Sequence, residues 1–312
     1  MVASDAPHDD WLTWAFSPTI SAILVTLVIS LLLPVLIHAY LYRQATGSSS
    51  GKDLPTFLLL GPSGAGKTTL LTLFANGTPS PTHTSQTPST ALCHLPASTR
   101  SHADRYRSAN DDTLSHASQP KLLITDTPGH GKLRHHALAS LTTSSPNTPA
   151  LKGLLFVVDS AAVSSPAGLT ETAEYLHDIL LLLQKRHTQS KTSKDPQAIP
   201  VLVAANKQDV FTSLPAALVG LKLEEEIAKV RLTRSKGLLD SGVGMEGDEG
   251  ADDQERNWLG RFGAKEFAFA QMGEHGVEVT VIGGNAKGEG GEEKEEESGR
   301  VEEWWAWIGE NL

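Results

Sequence analysis

The stretch GPSGAGKT at residues 61–68 constrains this 312-residue chain more tightly than any other part of it. It directly follows the apolar run TFLLL (56–60) and precedes a second apolar run, 69–75, read as a helix. The pattern G-x-x-x-x-G-K-[ST] needs a strand, a glycine-rich turn and a helix in that order, because its backbone N–H groups must converge at a helix N-terminus. A phosphate chain is what such a loop holds. Gly61, Pro62, Ser63, Gly64, Ala65 and Gly66 would wrap it, Lys67 would reach the β and γ phosphates, and the Thr68 hydroxyl would take a Mg²⁺ position, with Thr69 next to it.

Two further strand ends name the base. Residues 121–125 (KLLIT) read as a strand that ends in DTPG, and residues 201–205 (VLVAA) as another that ends in NKQD. In the first, Asp126 would hold Mg²⁺ through water and Gly129 would offer its N–H to a γ-phosphate. In the second, Asn206, Lys207 and Asp209 match N-K-x-D, whose aspartate accepts two hydrogen bonds from guanine. Adenine lacks that donor pair and would leave the carboxylate unpaired, so an ATPase reading leaves Asp209 unexplained. Further strands at 153–158 and 277–282, with helices at 171–186 and 223–235, complete an alternating order. This order predicts an α/β P-loop G domain, a mostly parallel sheet flanked by helices, that binds GTP or GDP with Mg²⁺ at the carboxyl ends of its strands.

A separate feature lies ahead of this domain. Between Asp10 and Arg43 stand 32 residues without Asp, Glu, Lys or Arg. Residues 19–42 would span roughly 36 Å as a helix, enough for a bilayer core of about 30 Å. Trp11, Trp14 and Phe16 flank one end, and Tyr40 and Tyr42 the other. Acids before the span and Arg43 and Lys52 after it place the C-terminal side in the cytosol. The acidic start argues against a secretory signal. The expected organisation is a short lumenal segment (1–18), a transmembrane helix (19–42) in contact with lipid, a linker (43–52) and the nucleotide-binding domain (53–312). Insertions are expected at about 96–119, 236–256 and 285–299.

Charge and cysteine content agree with a cytosolic domain. The net charge is −10, but Asp240–Glu255 and Glu289–Glu303 together carry −13, which leaves about +3 elsewhere. The acidity therefore belongs to solvated insertions, and no basic footprint suggests direct nucleic-acid contact. The single cysteine, Cys93, excludes an intramolecular disulfide and a cysteine-built zinc site.

A P-loop domain behind an N-terminal membrane segment resembles the β subunits of the signal recognition particle receptor, in their fungal form. Three stretches carry the likeness beyond the shared motifs. DTPG is followed by His130, where Ras-like proteins usually carry glutamine. Residues 223–235 (LEEEIAKVRLTRS) look like the family's long helix after the guanine motif. A Trp-rich helix closes the chain at 301–312. The resemblance implies an endoplasmic reticulum membrane protein whose GTP-bound domain docks the receptor α subunit and brings ribosomes to the translocon. A constitutively GTP-loaded anchor without turnover is the alternative, as is another trafficking GTPase. An Arf-like protein would need Gly at position 2, where this chain has Val.

Two places depart from the pattern, and the role of His130 stays open. The effector loop is rich in hydroxyls, so Thr82, Thr84 and Ser85 all stand as contacts, with Ser85 favoured as the Mg²⁺ ligand. The guanine-side loop reads GGNAK (283–287), in which the Gly284 or Ala286 N–H could serve a guanine oxygen. His130 either positions a hydrolytic water or packs against solvent or a partner while nucleotide only stabilises the fold. No arginine finger is assignable from Arg134, Arg231 and Arg234.

Overall fold

A computed structural model describes residues 27–37, 54–102, 119–142, 151–188, 198–240, 258–287 and 300–312. The chain divides into two units, Met1–Gly51 and Lys52–Leu312. In the first, residues 27–37 form a helix, α1, whose large apolar side chains from Leu27 to Ile37 are exposed. The remainder of the expected membrane span, 19–26 and 38–42, lies outside the described residues. Among the described residues no helix is long and apolar enough to cross a membrane.

The second unit is built on a six-stranded sheet. Its elements are β1 (Thr56–Leu60), α2 (Lys67–Asn76), β2 (Ser89–His94), β3 (Lys121–Asp126), α3 (Arg134–Thr142), β4 (Leu151–Asp159), α4 (Pro166–Thr188), β5 (Val201–Asn206), α5 (Ala216–Asp240), β6 (Val279–Gly283) and α6 (Glu302–Glu310). The strand order is β2-β3-β1-β4-β5-β6. Only β2 runs antiparallel to its neighbour. The α/β expectation holds in this form: a mostly parallel sheet with a core on each face.

Burial explains the strand sequences. In β5 all six residues are buried, and in β4 six consecutive residues are, so these central strands read as unbroken apolar runs rather than alternating ones. Odd and even positions then feed opposite cores. Leu58, Leu60, Phe156, Val158 and Val203 pack under α4 and α5, while Phe57, Leu59, Leu155, Val157 and Leu202 pack under α2 and α6. The Trp-rich stretch forms its helix because Trp304 is fully enclosed with its Nε1 donating to Ile282 O at 3.2 Å, and Trp305 lies 4.3 Å from the Phe74 ring.

Several expected boundaries move. β3 is an inner strand, with β2 paired along its outer side. Of the insertion expected at 96–119, residues 96–102 belong to the fold: Ser101 is buried, and Gly309 of α6 lies so close that a Cβ there would fall 2.6 Å from Arg100 O. The insertion expected from 236 begins later, since α5 continues to Asp240, and 241–256 lie outside the described residues. Of the last insertion, Asn285 and Ala286 are buried parts of the site.

Cys93 on β2 is fully buried, and burial pushes its thiol up to about 12. Ellman's reagent at pH 8 should therefore label the folded chain roughly 10²- to 10³-fold more slowly than the urea-unfolded chain, since the thiolate is the nucleophile. Equal rates would show that the thiol is not buried in the core between β2 and α2.

Candidate nucleotide-binding site

The phosphate loop leaves β1 and turns into α2 at the carboxyl edge of the sheet. Gly61, Gly64 and Gly66 all have positive φ, a region that costs any other side chain. At Gly66 (φ 96°) a Cβ would also stand 2.4 Å from the Asn206 side-chain nitrogen, so this position is closed to other residues twice over. Gly129, at the tip beyond β3, is as tightly fitted. A Cβ there would lie 2.5 Å from Lys67 Nζ and 2.6 Å from Gly61 O. The DTPG turn is thereby held directly over the phosphate loop. Thr127 secures it by donating its hydroxyl to Leu59 O at 2.8 Å.

Lys67 is 5% exposed and donates Nζ to Pro62 O at 2.8 Å. Burial lowers its pKa to about 8, against the pull of the Asp126 carboxylate and with a further push from Arg134. The Thr68 hydroxyl donates to Asp126 Oδ2 at 2.6 Å. Asp126 is fully buried, and burial raises its pKa despite hydrogen bonds from Thr68 and Ser85 and the Lys67 charge. Its Oδ1 is buried with no hydrogen-bond partner among the described residues. A carboxylate oxygen so placed is costly unless something with positive charge meets it. The set of Thr68, Ser85 and Asp126 therefore fits a hard divalent cation with oxygen ligands. Of the effector-loop hydroxyls, Ser85 is near enough to help hold the Asp126 pKa down, and Thr82 Oγ lies 3.0 Å from Thr69 Oγ. A cleft of about 450 Å³ opens above this cluster, lined by phosphate-loop residues, by 80–85 including Thr84, and by Gly129, Lys207 and Lys287.

The NKQD turn stands at the other end. Asn206 is buried and ties two loops together: its Nδ2 donates to Ala65 O at 2.8 Å, and its Oδ1 accepts Ala286 N–H at 2.9 Å. Lys207 has φ 63°, the only positive value outside glycine among the described residues. Its Nζ is 2.6 Å from Asp159 Oδ2 at the end of β4. Asp159 is in turn fixed by N–H donors from Ala161 and Ala162. Asp209 is exposed at the tip of the turn. Backbone strain in a long side chain, held by a specific ion pair, is what a preorganised binding turn would show.

Not every expected contact is free. Gly284 N–H goes to Ala205 O at 3.0 Å, and Ala286 N–H goes to Asn206, so neither donor assigned to a guanine oxygen is unpaired here. The reason is local: the loop needs both bonds to close over β5. His130 does not line the cleft. It is exposed, and its Nδ1 accepts Lys132 N–H at 3.3 Å, capping the short 3₁₀ turn Gly131–Leu133. The three arginines are all occupied. Arg134 pairs with Glu171 at 3.0 Å and stacks on Tyr175, Arg234 pairs with Asp178, and Arg231 is buried among backbone carbonyls. The roles of Asp159 and Lys287 were not readable in the sequence. Asp159 ends an apolar strand like any other acid, and only the β4–β5 register, Asp159 opposite Asn206, places it beside Lys207.

The sequence profile of the signal recognition particle receptor beta subunit matches residues 52–277. The chain belongs to that family. Signal recognition particle receptor subunit beta of Saccharomyces cerevisiae is 30% identical over 293 residues, covering 92% of this chain and 98% of the yeast protein. Among solved structures, the Chaetomium thermophilum SRb-GTP/SRX complex is similar with a TM-score of 0.62 and 37% identity, over 83% of this chain and all of that one. The SRb-GDP-Mg form from the same organism aligns with a TM-score of 0.56 and 38% identity over the same shares. On α5 neither Arg231 nor Arg234 lines the cleft: Arg231 is buried and binds backbone carbonyls, while Arg234 pairs with Asp178 at the surface.

Proposed function

We propose that this chain binds GTP and GDP with Mg²⁺ and, when GTP is bound, docks the α subunit of the signal recognition particle receptor at the endoplasmic reticulum membrane, where residues 19–42 anchor it. The observation that carries the reading is the buried Lys67–Thr68–Asp126 cluster with its unpaired carboxylate oxygen, set under a glycine cradle. Phosphate oxygens would meet Lys67 and the loop N–H groups. Bound Mg²⁺ would neutralise Asp126 and join it to Thr68 and Ser85. Relatives solved with GTP and SRX, and with GDP and Mg, support the same ligands and partner for this chain. Contact with the ribosome or translocon follows from the assembled receptor, with no direct nucleic-acid binding.

A second reading has its own support. His130 caps a turn and faces solvent, so the residue expected to position a hydrolytic water does not reach into the cleft. Nucleotide would then be retained as a structural element, with turnover left to a partner that draws His130 into the cleft.

One flotation experiment separates these readings. Full-length chain is reconstituted in vesicles of endoplasmic reticulum lipid, and capture of the α subunit is scored with GTP, GDP or XTP. The chain itself should float without nucleotide, and wild type should capture the α subunit with GTP only. Asp209→Asn should exchange that requirement for XTP, because an amide donor suits the 2-oxo group of xanthine. Equal capture with GDP favours the constitutive anchor. Failure of Asp209→Asn to change the preferred base refutes the guanine assignment.

A further inference from the structure

β6 is the last strand of the sheet, and among the described residues it pairs only with β5. In a parallel pair, alternate residues turn both backbone groups toward the neighbour. Val201 N–H to Glu278 O and Gly284 N–H to Ala205 O set that phase, so Val279, Val281 and Gly283 point their N–H and C=O groups away from the sheet. An unpaired edge of this kind is a template for another strand.

The ground beside the edge is shaped. α6 covers the middle of the sheet, where Trp307 meets Phe57 at 6.2 Å, and touches β6 through Trp304, whose Nε1 donates to Ile282 O, without covering the outer edge of that strand. A groove of about 340 Å³ remains between helix and strand. Its floor is apolar, from Ile282, Ala306 and Trp307, and its rim carries Glu278, Glu303 and Glu310. All three carboxylates are exposed, and none is in an ion pair among the described residues. Glu303 and Glu310 are seven residues apart on one stripe of α6, with Ala306 between them. The stretch joining β6 to α6, 288–299, has six acids against one lysine, a charge of the same sign.

We propose that this edge and groove form a docking surface for an extended peptide segment with lysine or arginine at every second position. The segment would add a strand outside β6 through the backbone of Val279–Gly283. Its cationic side chains would lie on the α6 side, their methylene stems over Ile282 and Trp307 and their charges at the three glutamates. The opposite sign is excluded by the rim, and an apolar strand would leave the carboxylates without a partner. The site lies on the far side of α6 from the phosphate loop and does not depend on the nucleotide reading.

The test titrates full-length chain, in non-ionic detergent, with three short peptides: alternating lysine and valine, alternating glutamate and valine, and the lysine peptide N-methylated throughout its backbone. The lysine peptide should bind, weakening as salt rises, and the other two should not. Glu303→Gln with Glu310→Gln, both exposed positions, should weaken it by roughly three- to tenfold while leaving thermal unfolding unchanged. Binding of the N-methylated peptide equal to its parent would reduce the effect to diffuse charge and overturn strand addition. Binding of the glutamate peptide, indifference to the double substitution, or no binding at all would overturn it as well. Self-association of the chain that the lysine peptide does not compete away would make a second copy the occupant, and would likewise refute the proposal.

Discussion

Replacing Lys67 with alanine is expected to lower guanine-nucleotide affinity on the order of 10²- to 10³-fold while leaving the nucleotide-free fold nearly as stable as before. The two effects separate because the folded site disfavours the lysine charge until an anion arrives. Burial holds its pKa near 8, and its hydrogen-bond acceptor is the neutral Pro62 carbonyl. Removing one partner of a buried charge pair costs about 2–5 kcal/mol of binding, which is the expected loss in the bound state. Without ligand, the substitution removes a desolvated cation and one hydrogen bond, and these offset each other. Titration with a fluorescent GDP analogue reads the first effect, and scanning calorimetry without nucleotide reads the second. An affinity within threefold of wild type would mean that the phosphate chain does not lie at Lys67.

Arg231→Met should cost about 3–5 kcal/mol of unfolding free energy. Arg231 is 2% exposed on α5, and its guanidinium donates to Leu259 O at 3.0 Å, to Ala264 O and to Glu266 O at 3.1 Å. It also stacks 4.5 Å from the Trp258 ring. Methionine fills much of the volume but leaves three carbonyls without donors, each worth about 1–3 kcal/mol when buried, and removes a cation–π contact. Arg234, three residues further on, is 42% exposed and pairs with Asp178 at the surface. Its methionine variant should lose no more than about 1 kcal/mol. Urea unfolding followed by tryptophan fluorescence compares the two. Similar midpoints for both variants would show that segment 258–269 is not held by Arg231.

Much of this protein was legible because its motifs are bound to chain direction. A glycine-rich loop can cradle phosphate only between a strand and a helix N-terminus, and β1 and α2 stand where GPSGAGKT requires them. The same holds for DTPG after β3 and NKQD after β5. The strand cores were readable for a simpler reason: a strand buried on both faces has no polar positions to confuse its limits. β6 was read two residues early, from Val277, because that residue is buried in the turn before the strand and resembles a strand residue in composition.

What depends on separation in space was hidden. Arg231 sits in a helix with polar neighbours and reads as a surface charge. Its carbonyl partners are 28 to 35 residues away, across a stretch too acidic to suggest a return to the core. The capping of His130 depends on one backbone torsion, and the pairing of Lys207 with Asp159 on a strand register between β4 and β5. By itself the sequence determined the fold class, the order of the nucleotide motifs and the family, since each follows from residues close together along the chain. Only the tertiary structure decided which charges are free and which are spent. Burial and hydrogen-bond partners are set by elements that meet from distant parts of the chain, and they leave the Asp126 oxygen unpaired while occupying Gly284, Ala286 and all three arginines.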